Sequence, residues 1–458
     1  MNVTILGAGV CGLYAGLEFA RQGANITILE SAPQVGGLAA GHHIGTNYYD
    51  FGVHMFHEFD HEIFLDLKQL MADNRIEVKL DARIKWAGKF YRYPLRSRDL
   101  ISGIPPFTLA RCTAGLFRAK LLSKIYPPIA MDAEGALVEL YGNALYRYYF
   151  EGFTSRYWGL HPRELSATFI RQKMPRLLAV DVIKNLLQKM KLGNSCNTSE
   201  GAFRTETLHY SRRGAITLPQ TIADEIFRLG GTIKLSSTVN RIRHETKKIT
   251  SVDYLDNNGS VNTISADTYL STIPVSSTIK CLQPCSPDHI VDAAHQLQYK
   301  AVAVYALLVR KLNCMEAQYT YYRDRIFHRV GEPRNGGLDV TPPDCSILIV
   351  ELTCTVGDAR WRNEDSVWHQ IITDLEAERL CSKKEIVERH HIRSSHAYPI
   401  FKLGFEKYLD EIVNYCNNIE NFSTTGRQGR FAYLNMHSAM RMGLDEARIL
   451  CARNKLKS

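Results

Sequence analysis

The run MNVTILGAGVCG sets an apolar strand directly against Gly7, Gly9 and Gly12, and Glu30 closes the next apolar run, ITILE. This spacing predicts a strand, a tight turn and a helix that together cradle a dinucleotide. Gly7 permits the turn, Gly9 lets the backbone approach a pyrophosphate, and Gly12 lets the helix pack closely on the strand. The first turn of the helix then faces the phosphates with unpaired N–H groups and the positive end of its dipole. Glu30, about 20 residues on, is placed to accept hydrogen bonds from a ribose diol, which disfavours a 2′-phosphate there. Strand, glycines, helix (13 to 22), Gly23, second strand and terminal acid come in order. The expected class is therefore α/β, with a Rossmann-like nucleotide domain.

A chain of 458 residues with 45% hydrophobic and 22% charged residues can bury a large core, and this length favours two or three structural domains. The net charge of +9 is modest; it suits a solvated face and is compatible with an anionic substrate such as a nucleotide diphosphate. The most basic runs, Lys189-Met190-Lys191 and Arg241-Ile242-Arg243, are short and lack interleaved aromatics, which excludes a nucleic-acid groove. Eleven scattered cysteines, odd in number and including Cys11 inside the glycine motif, point to a reducing compartment, and so to the cytoplasm. Cys281 and Cys285 form the only close pair, with no second pair at zinc spacing, so no metal site is expected. The N-terminal apolar stretch lacks a basic leader and is accounted for by the nucleotide fold. No run is long enough to span a bilayer. The apolar stretch from 101 to 130, interrupted by Arg111, Arg118, Lys120 and Lys124, reads as an amphipathic helical cap in preference to a contact with a membrane surface. Nothing in the sequence sets the oligomeric state.

Further along, pieces of the nucleotide fold alternate with other structure. A hairpin is expected over 85–94, helices through Leu192, a loop over 193–200, a helix over 218–229, a strand over 232–235 and a hairpin around Asn257-Asn258-Gly259. Strands over 301–308 and 346–352 would build a substrate-side sheet. This divides the chain into a discontinuous nucleotide domain (1–75, 205–275 and 395–458), a mainly helical cap (76–204) and a sheet domain (276–394). No internal repeat or low-complexity tract is present.

Seven motifs narrow the reading. They are Gly36-Gly37-Leu38 after Glu30; Tyr49-Asp50-Phe51-Gly52-Val53-His54-Met55-Phe56-His57; Gly152-Phe153-Thr154-Ser155-Arg156-Tyr157-Trp158-Gly159; Met174-Pro175-Arg176; Phe327-His328-Arg329; Gly426-Arg427-Gln428-Gly429; and Asn435-Met436. Through them the chain resembles, over almost its whole length, the FAD-containing flavoproteins that include amine oxidases, phytoene desaturases, protoporphyrinogen oxidases and UDP-galactopyranose mutases. It is most similar to the mutase-like members.

That resemblance implies a GR2-type FAD-binding domain with an inserted mixed α+β substrate domain. FAD would contact Gly7, Gly9, Gly12, Glu30, Gly36, Gly37, Leu38, Gly429, Asn435 and Met436, and the backbone of Val239 would meet the adenine. His54 would lie beside the flavin and respond to its reduction, Arg176 and Arg329 would stabilise a diphosphate, and Trp158 would wall a sugar pocket. Phe153, His57, Lys300 and Arg427 complete the implied substrate side. The implied reaction interconverts the pyranose and furanose forms of a nucleotide-diphosphate sugar through N5 of reduced flavin, with NAD(P)H as a reductant, in polysaccharide or glycan assembly. Three departures stand out: Phe153 replaces a tyrosine, Lys300 stands where mutases tend to carry arginine, and His437, Ser438 and Ala439 replace an Asp-His-Ser run. The competing reading is a flavin oxidoreductase of the amine oxidase or protoporphyrinogen oxidase type, in whose neighbourhood a lysine such as Lys300 also occurs. A third is a non-enzymatic binding protein of the same fold, against which the intact glycines argue.

Overall fold

In the computed structural model, which describes residues 1–93, 104–126, 129–173 and 207–455, the N-terminal strand lies at the centre of a parallel sheet. Its order is Thr232–Lys234, Asn25–Leu29, Asn2–Leu6, Thr268–Ser271 and Phe422–Thr424, every pair parallel. A parallel sheet is covered on both faces, so its strands must be apolar throughout. Val3, Ile5, Leu6, Ile26, Ile28 and Leu29 are accordingly buried. The helix Val10–Arg21 covers one face, and the last helix, Met436–Lys455, packs along it through Met440, Leu444 and Ala447. Each large aliphatic side chain buried here is worth about 1.5–3 kcal/mol. The α/β, Rossmann-like fold stands.

A second sheet of seven strands runs Ile386–Pro399, Tyr299–Val309, Ser346–Cys354, Arg329–Gly331, Tyr319–Tyr322, Ala82–Trp86 and Lys89–Arg92. Alternation assigns its two faces. Ala303, Tyr305 and Leu307 pack with Leu348 and Val350 against Trp368, Ile371 and Leu375 of the helix Asp365–Ala377. Val302, Val304 and Leu308 turn the other way, onto Tyr49, Met55 and Leu338. The first two buried strands exceed their expected lengths, which places Lys300 inside a strand rather than before one.

The hairpin expected over 85–94 forms from Ala82–Trp86 and Lys89–Arg92 around Ala87 and Gly88, both at positive φ (49° and 75°), the geometry of a two-residue turn. It extends the edge of this sheet instead of joining the helices, because Ala82, Ile84 and Trp86 alternate inward and pair beside Tyr319–Tyr322. A smaller sheet of Phe56–His57, Thr207–Tyr210 and Ile76–Lys79 closes the space beneath. Residues 193–200, expected to form a loop, lie outside the described residues, as does Arg176.

The helical layer comprises Pro106–Ile125, Ala133–Leu145, a wide turn over Tyr146–Phe150, Glu151–Trp158 and Ala167–Lys173. Gly142 bends the second helix at φ 77°, and a Cβ there would lie 2.5 Å from the Gly115 carbonyl carbon, so two helices touch backbone to backbone. The turn over Tyr146–Phe150 has i→i+5 bonding, a form that often marks functional sites.

Candidate active site

A cavity of about 1140 Å³ opens where the carboxyl ends of the parallel strands, the seven-stranded sheet and the helical layer meet. Carboxyl ends of parallel strands are where open α/β sheets hold ligands. The volume exceeds the roughly 300–1,000 Å³ of ordinary small-molecule pockets, leaving room for a dinucleotide and a second ligand.

One end of the cavity is a phosphate cradle. A Cβ on Gly9 would meet no atom within 4 Å, so the backbone there is bare toward the cavity. A Cβ on Gly12 would sit 2.0 Å from the Gly7 carbonyl oxygen and 3.1 Å from Thr272 Oγ1, so this glycine serves helix–strand packing beneath the wall. Glu30 is fixed at the lip: Ala8 N donates to Oε2 (2.7 Å) and Ala32 N to Oε1 (2.9 Å). Gly36, at φ 111°, donates its N–H to the Ala8 carbonyl (2.8 Å), laying the Gly36-Gly37-Leu38 turn beside Gly9. Asn435 and Met436 reach the same cavity at the start of the last helix, giving it a second helix N-terminus. Gly429 packs under the wall, where a Cβ would meet the Ser271 carbonyl at 3.0 Å. Val239 stands apart in the strand Thr238–Glu245 and does not line the cavity; its carbonyl accepts from Cys281 Sγ at 3.8 Å. The bare glycine backbone, two helix N-termini and the fixed carboxylate fit a dinucleotide.

The opposite end is walled by rings. Trp158 is buried, with Tyr157 and Phe169 each edge-on to it at 5.2 Å, and Phe153 stacks on Tyr157 at 6.0 Å. Tyr149 and Phe150 both line the cavity from the wide turn while packing into the helical core: Phe150 is buried in the same cluster as Tyr146, and Tyr149 packs against it. Tyr321, Tyr398 and Tyr433 complete the wall, and sequence reasoning missed all three. Tyr321 and Tyr398 stand as tyrosines in otherwise ordinary strands, and Tyr433 in the segment just before the last helix.

Arg329 enters this chamber already paired. Its Nε and Nη2 donate to the two carboxylate oxygens of Glu351 at 2.5 and 2.6 Å, and Nη1 reaches Tyr321 Oη at 3.4 Å. Burial opposes the guanidinium's charge, but the Glu351 carboxylate outweighs it and holds the pKa well above its ordinary value. Glu351 is directly opposite Arg329 in the sheet register, inside the apolar run SILIVELTC. Arg427 donates to the carbonyls of Leu434 (2.9 Å) and Ala397 (2.6 Å) while lying over the rings of Tyr433 (4.7 Å) and Tyr398 (5.4 Å). His54 lies nearby, half-buried. Burial, reinforced by Arg329 and Arg427, pushes its pKa down to about 3, so it is neutral, and its Nδ1 is buried without a hydrogen-bond partner. His57 lines the cavity stacked on Phe59 at 4.8 Å. Lys300 is half-buried off the wall, and burial lowers its pKa.

Behind Phe153, Tyr157 and His328 lies a pouch of about 110 Å³, faced by Arg156, Arg325 and Arg360. Arg156 donates to the carbonyls of Arg323, Tyr322 and Phe327, and Arg360 to that of Thr353. Among the described residues no carboxylate forms an ion pair with either. No cluster of three metal-ligating side chains occurs among the described residues, and none of their helices is long and apolar enough to cross a membrane.

Comparison with known proteins places these features. The family of flavin containing amine oxidoreductases matches residues 10–346. A probable UDP-galactopyranose mutase of Klebsiella pneumoniae is 24% identical over 187 residues, 37% of this chain and 44% of that protein. A dTDP-fucopyranose mutase of Escherichia coli is 20% identical over 174 residues, 37% of this chain and 45% of that one. The matches thus span less than half the length of these curated relatives. Among solved structures, a reduced UDP-galactopyranose mutase superposes with a TM-score of 0.81 at 18% identity, covering 98% of this chain and 95% of that one. A putrescine oxidase bound to putrescine gives 0.65 at 14% identity, covering 99% of each. At these identities the likeness is one of fold.

Proposed function

The chain belongs to the flavin containing amine oxidoreductases, and from that premise we propose that it binds FAD and interconverts ring forms of a nucleotide-diphosphate sugar. The observation that carries this reading is the charge at the substrate end of the cavity. Arg329, Arg393 and Arg427 line it against the single carboxylate of Glu351, so the excess positive charge repels a cationic amine and attracts an anionic substrate. The names of the two curated relatives, both mutases of nucleotide sugars, support the same choice.

FAD would be held by the bare backbone at Gly9, the Gly36-Gly37 turn, Glu30 and the N–H groups at Asn435 and Met436. Bound there in reduced form, it would supply the nucleophile at the sugar's anomeric carbon. The chain's own residues do the rest. Arg329 keeps one nitrogen, Nη1, free of Glu351 and offers it toward a phosphate oxygen, where a charge-assisted hydrogen bond is about twice as strong as a neutral one. Glu351 fixes the plane of that guanidinium. Neutral His54 sets no charge against an electron-rich cofactor beyond what Arg427 and Arg329 already supply. Trp158, Phe153 and Tyr157 exclude water and give a sugar face or a base a flat surface.

A second reading rests on the same wall. Rings line most of the chamber, which suits a flavin oxidoreductase acting on a hydrophobic anionic donor. The test separates them. Protein reduced with dithionite is incubated anaerobically with a panel of nucleotide-diphosphate hexopyranoses, and isomers are resolved by anion-exchange chromatography. Isomer formation without net redox change is expected. Absence of any isomer, together with hydrogen peroxide release when the oxidised protein meets a panel of hydrophobic anionic donors, would establish the oxidoreductase instead.

A further inference from the structure

The helix Pro106–Ile125 is apolar on two faces. Cys112, Leu116 and Ala119 turn inward, Cys112 joining the buried cluster around Leu137 and Tyr141. On the opposite side Phe107, Ala110, Ala114, Phe117, Leu121 and Ile125 recur at intervals of three and four, which aligns them in one stripe. All six are exposed, the four large ones between 53% and 75%. Beyond the helix Tyr126, Ile129 and Met131 are also 65% to 79% exposed. An amphipathic cap would have turned a polar face outward; this one turns out phenylalanine and leucine.

The charges around the stripe are of one sign. Arg111, Arg118 and Lys124 are exposed and Lys120 is half-exposed, while residues 104–131 contain no aspartate or glutamate. Arg111 lies over the Phe107 ring at 6.0 Å. Exposed apolar stripes of this extent mark interaction sites. A second copy of the chain would bring four identical cations against these four, whereas an anionic surface complements them. A helix of 20 residues is about 30 Å long, and it is too basic to span a bilayer but well suited to lie in its plane.

We propose that this helix is a membrane-surface anchor: its outer stripe inserts into the headgroup boundary of an anionic bilayer, with Arg111, Arg118, Lys120 and Lys124 among the lipid phosphates. The proposal is independent of the reaction assigned to the cavity. The helix packs on Ala133–Leu145, which leads through the wide turn over Tyr146–Phe150 into the cavity wall, so the anchor sets which side of the enzyme faces the lipid.

The test is flotation of the full chain, purified with its flavin, on vesicles of phosphatidylcholine alone or mixed with phosphatidylglycerol. Binding to the anionic vesicles should be about tenfold or more stronger than to the neutral ones and should weaken in high salt. Phe117→Ser with Leu121→Ser, and separately Arg118→Glu with Lys124→Glu, should each lower it by about tenfold or more, with circular dichroism and flavin content unchanged. Equal flotation of wild type and both variants would overturn the proposal. So would a concentration-dependent dimer abolished by the Leu121 variant without flotation, which would assign the face to a second copy. Failure to float, with the stripe's amides protected from exchange in the free chain, would assign it to another segment of the same chain.

Discussion

The glycine cradle separates two roles that the sequence motif runs together, and paired substitutions can tell them apart. Gly9 has φ −68° and ψ 169°, ordinary extended backbone, and a Cβ there touches nothing. Gly9→Ala should leave the flavin-free protein as stable as wild type, or raise its stability by up to about 1 kcal/mol through reduced freedom of the unfolded chain. The added methyl would hold a pyrophosphate off the backbone. Losing one or two charge-assisted N–H contacts, each about 1.5–3 kcal/mol, weakens flavin binding by about a hundredfold. Gly12→Ala has the opposite signature. Its Cβ would start 2.0 Å from the Gly7 carbonyl oxygen, where a relaxed C···O contact needs roughly 3.3 Å, so helix Val10–Arg21 must lift by about 1 Å from the strand. Overpacking of this kind costs about 1–3 kcal/mol or more. The urea midpoint of flavin-stripped protein, with flavin content from the absorbance ratio, reads both effects. Wild-type flavin affinity in Gly9→Ala, or an unshifted midpoint in Gly12→Ala, would refute the assignment.

Three further outcomes follow from the site. Glu351→Ala strands the largely buried Arg329 guanidinium and should destabilise by about 3–5 kcal/mol in urea unfolding, while replacing both residues with methionine should cost less than either single loss. Asp50, buried with Tyr210 Oη and Ala215 N donating to it, has its pKa raised by burial to about 6. Its contribution to stability is full below the unfolded value near 4 and is lost as pH rises through 6, a change of about 3 kcal/mol that Asp50→Asn should abolish in a pH series of melts. His54 works the other way. Its depressed pKa stabilises the fold above pH 6.5 and that contribution is lost as pH falls toward 3, so His54→Gln should flatten the acid limb of the same series.

What the sequence revealed was chiefly local. Gly7, Gly9, Gly12 and Glu30 could be read because strand, turn and acid lie within 30 residues, and each does something different to the backbone. Arg329 could be picked out as an arginine, but its pairing could not. Glu351 lies 22 residues further on in a fully buried strand, and only the antiparallel register brings the two together. Tyr149 and Phe150 belong to the helical core and line the cavity as well, a double role that the spacing of rings along a helix does not distinguish from plain packing. Val239 rests on the resemblance alone, and it is not among the residues that line the cavity. The apolar residues and cations of Pro106–Ile125 were both legible, but which apolar residues turn inward and which outward depends on what the helix packs against, so a cap and a surface contact read alike.

The cradle is also an order of events in time. Its walls come from the segments 7–11, 30–38, 272–274 and 427–436, and the helix that opens at Met436 packs along the first one in the chain. A ribosome releases these pieces from first to last, so the cofactor meets a finished seat only after the final helix has emerged and folded back on the first. Until then the opening strands wait with a bare glycine turn and a partner sheet missing its Phe422–Thr424 edge. Truncations that stop short of residue 436 should therefore be colourless and prone to degradation in the cell, however intact their N-terminal motif.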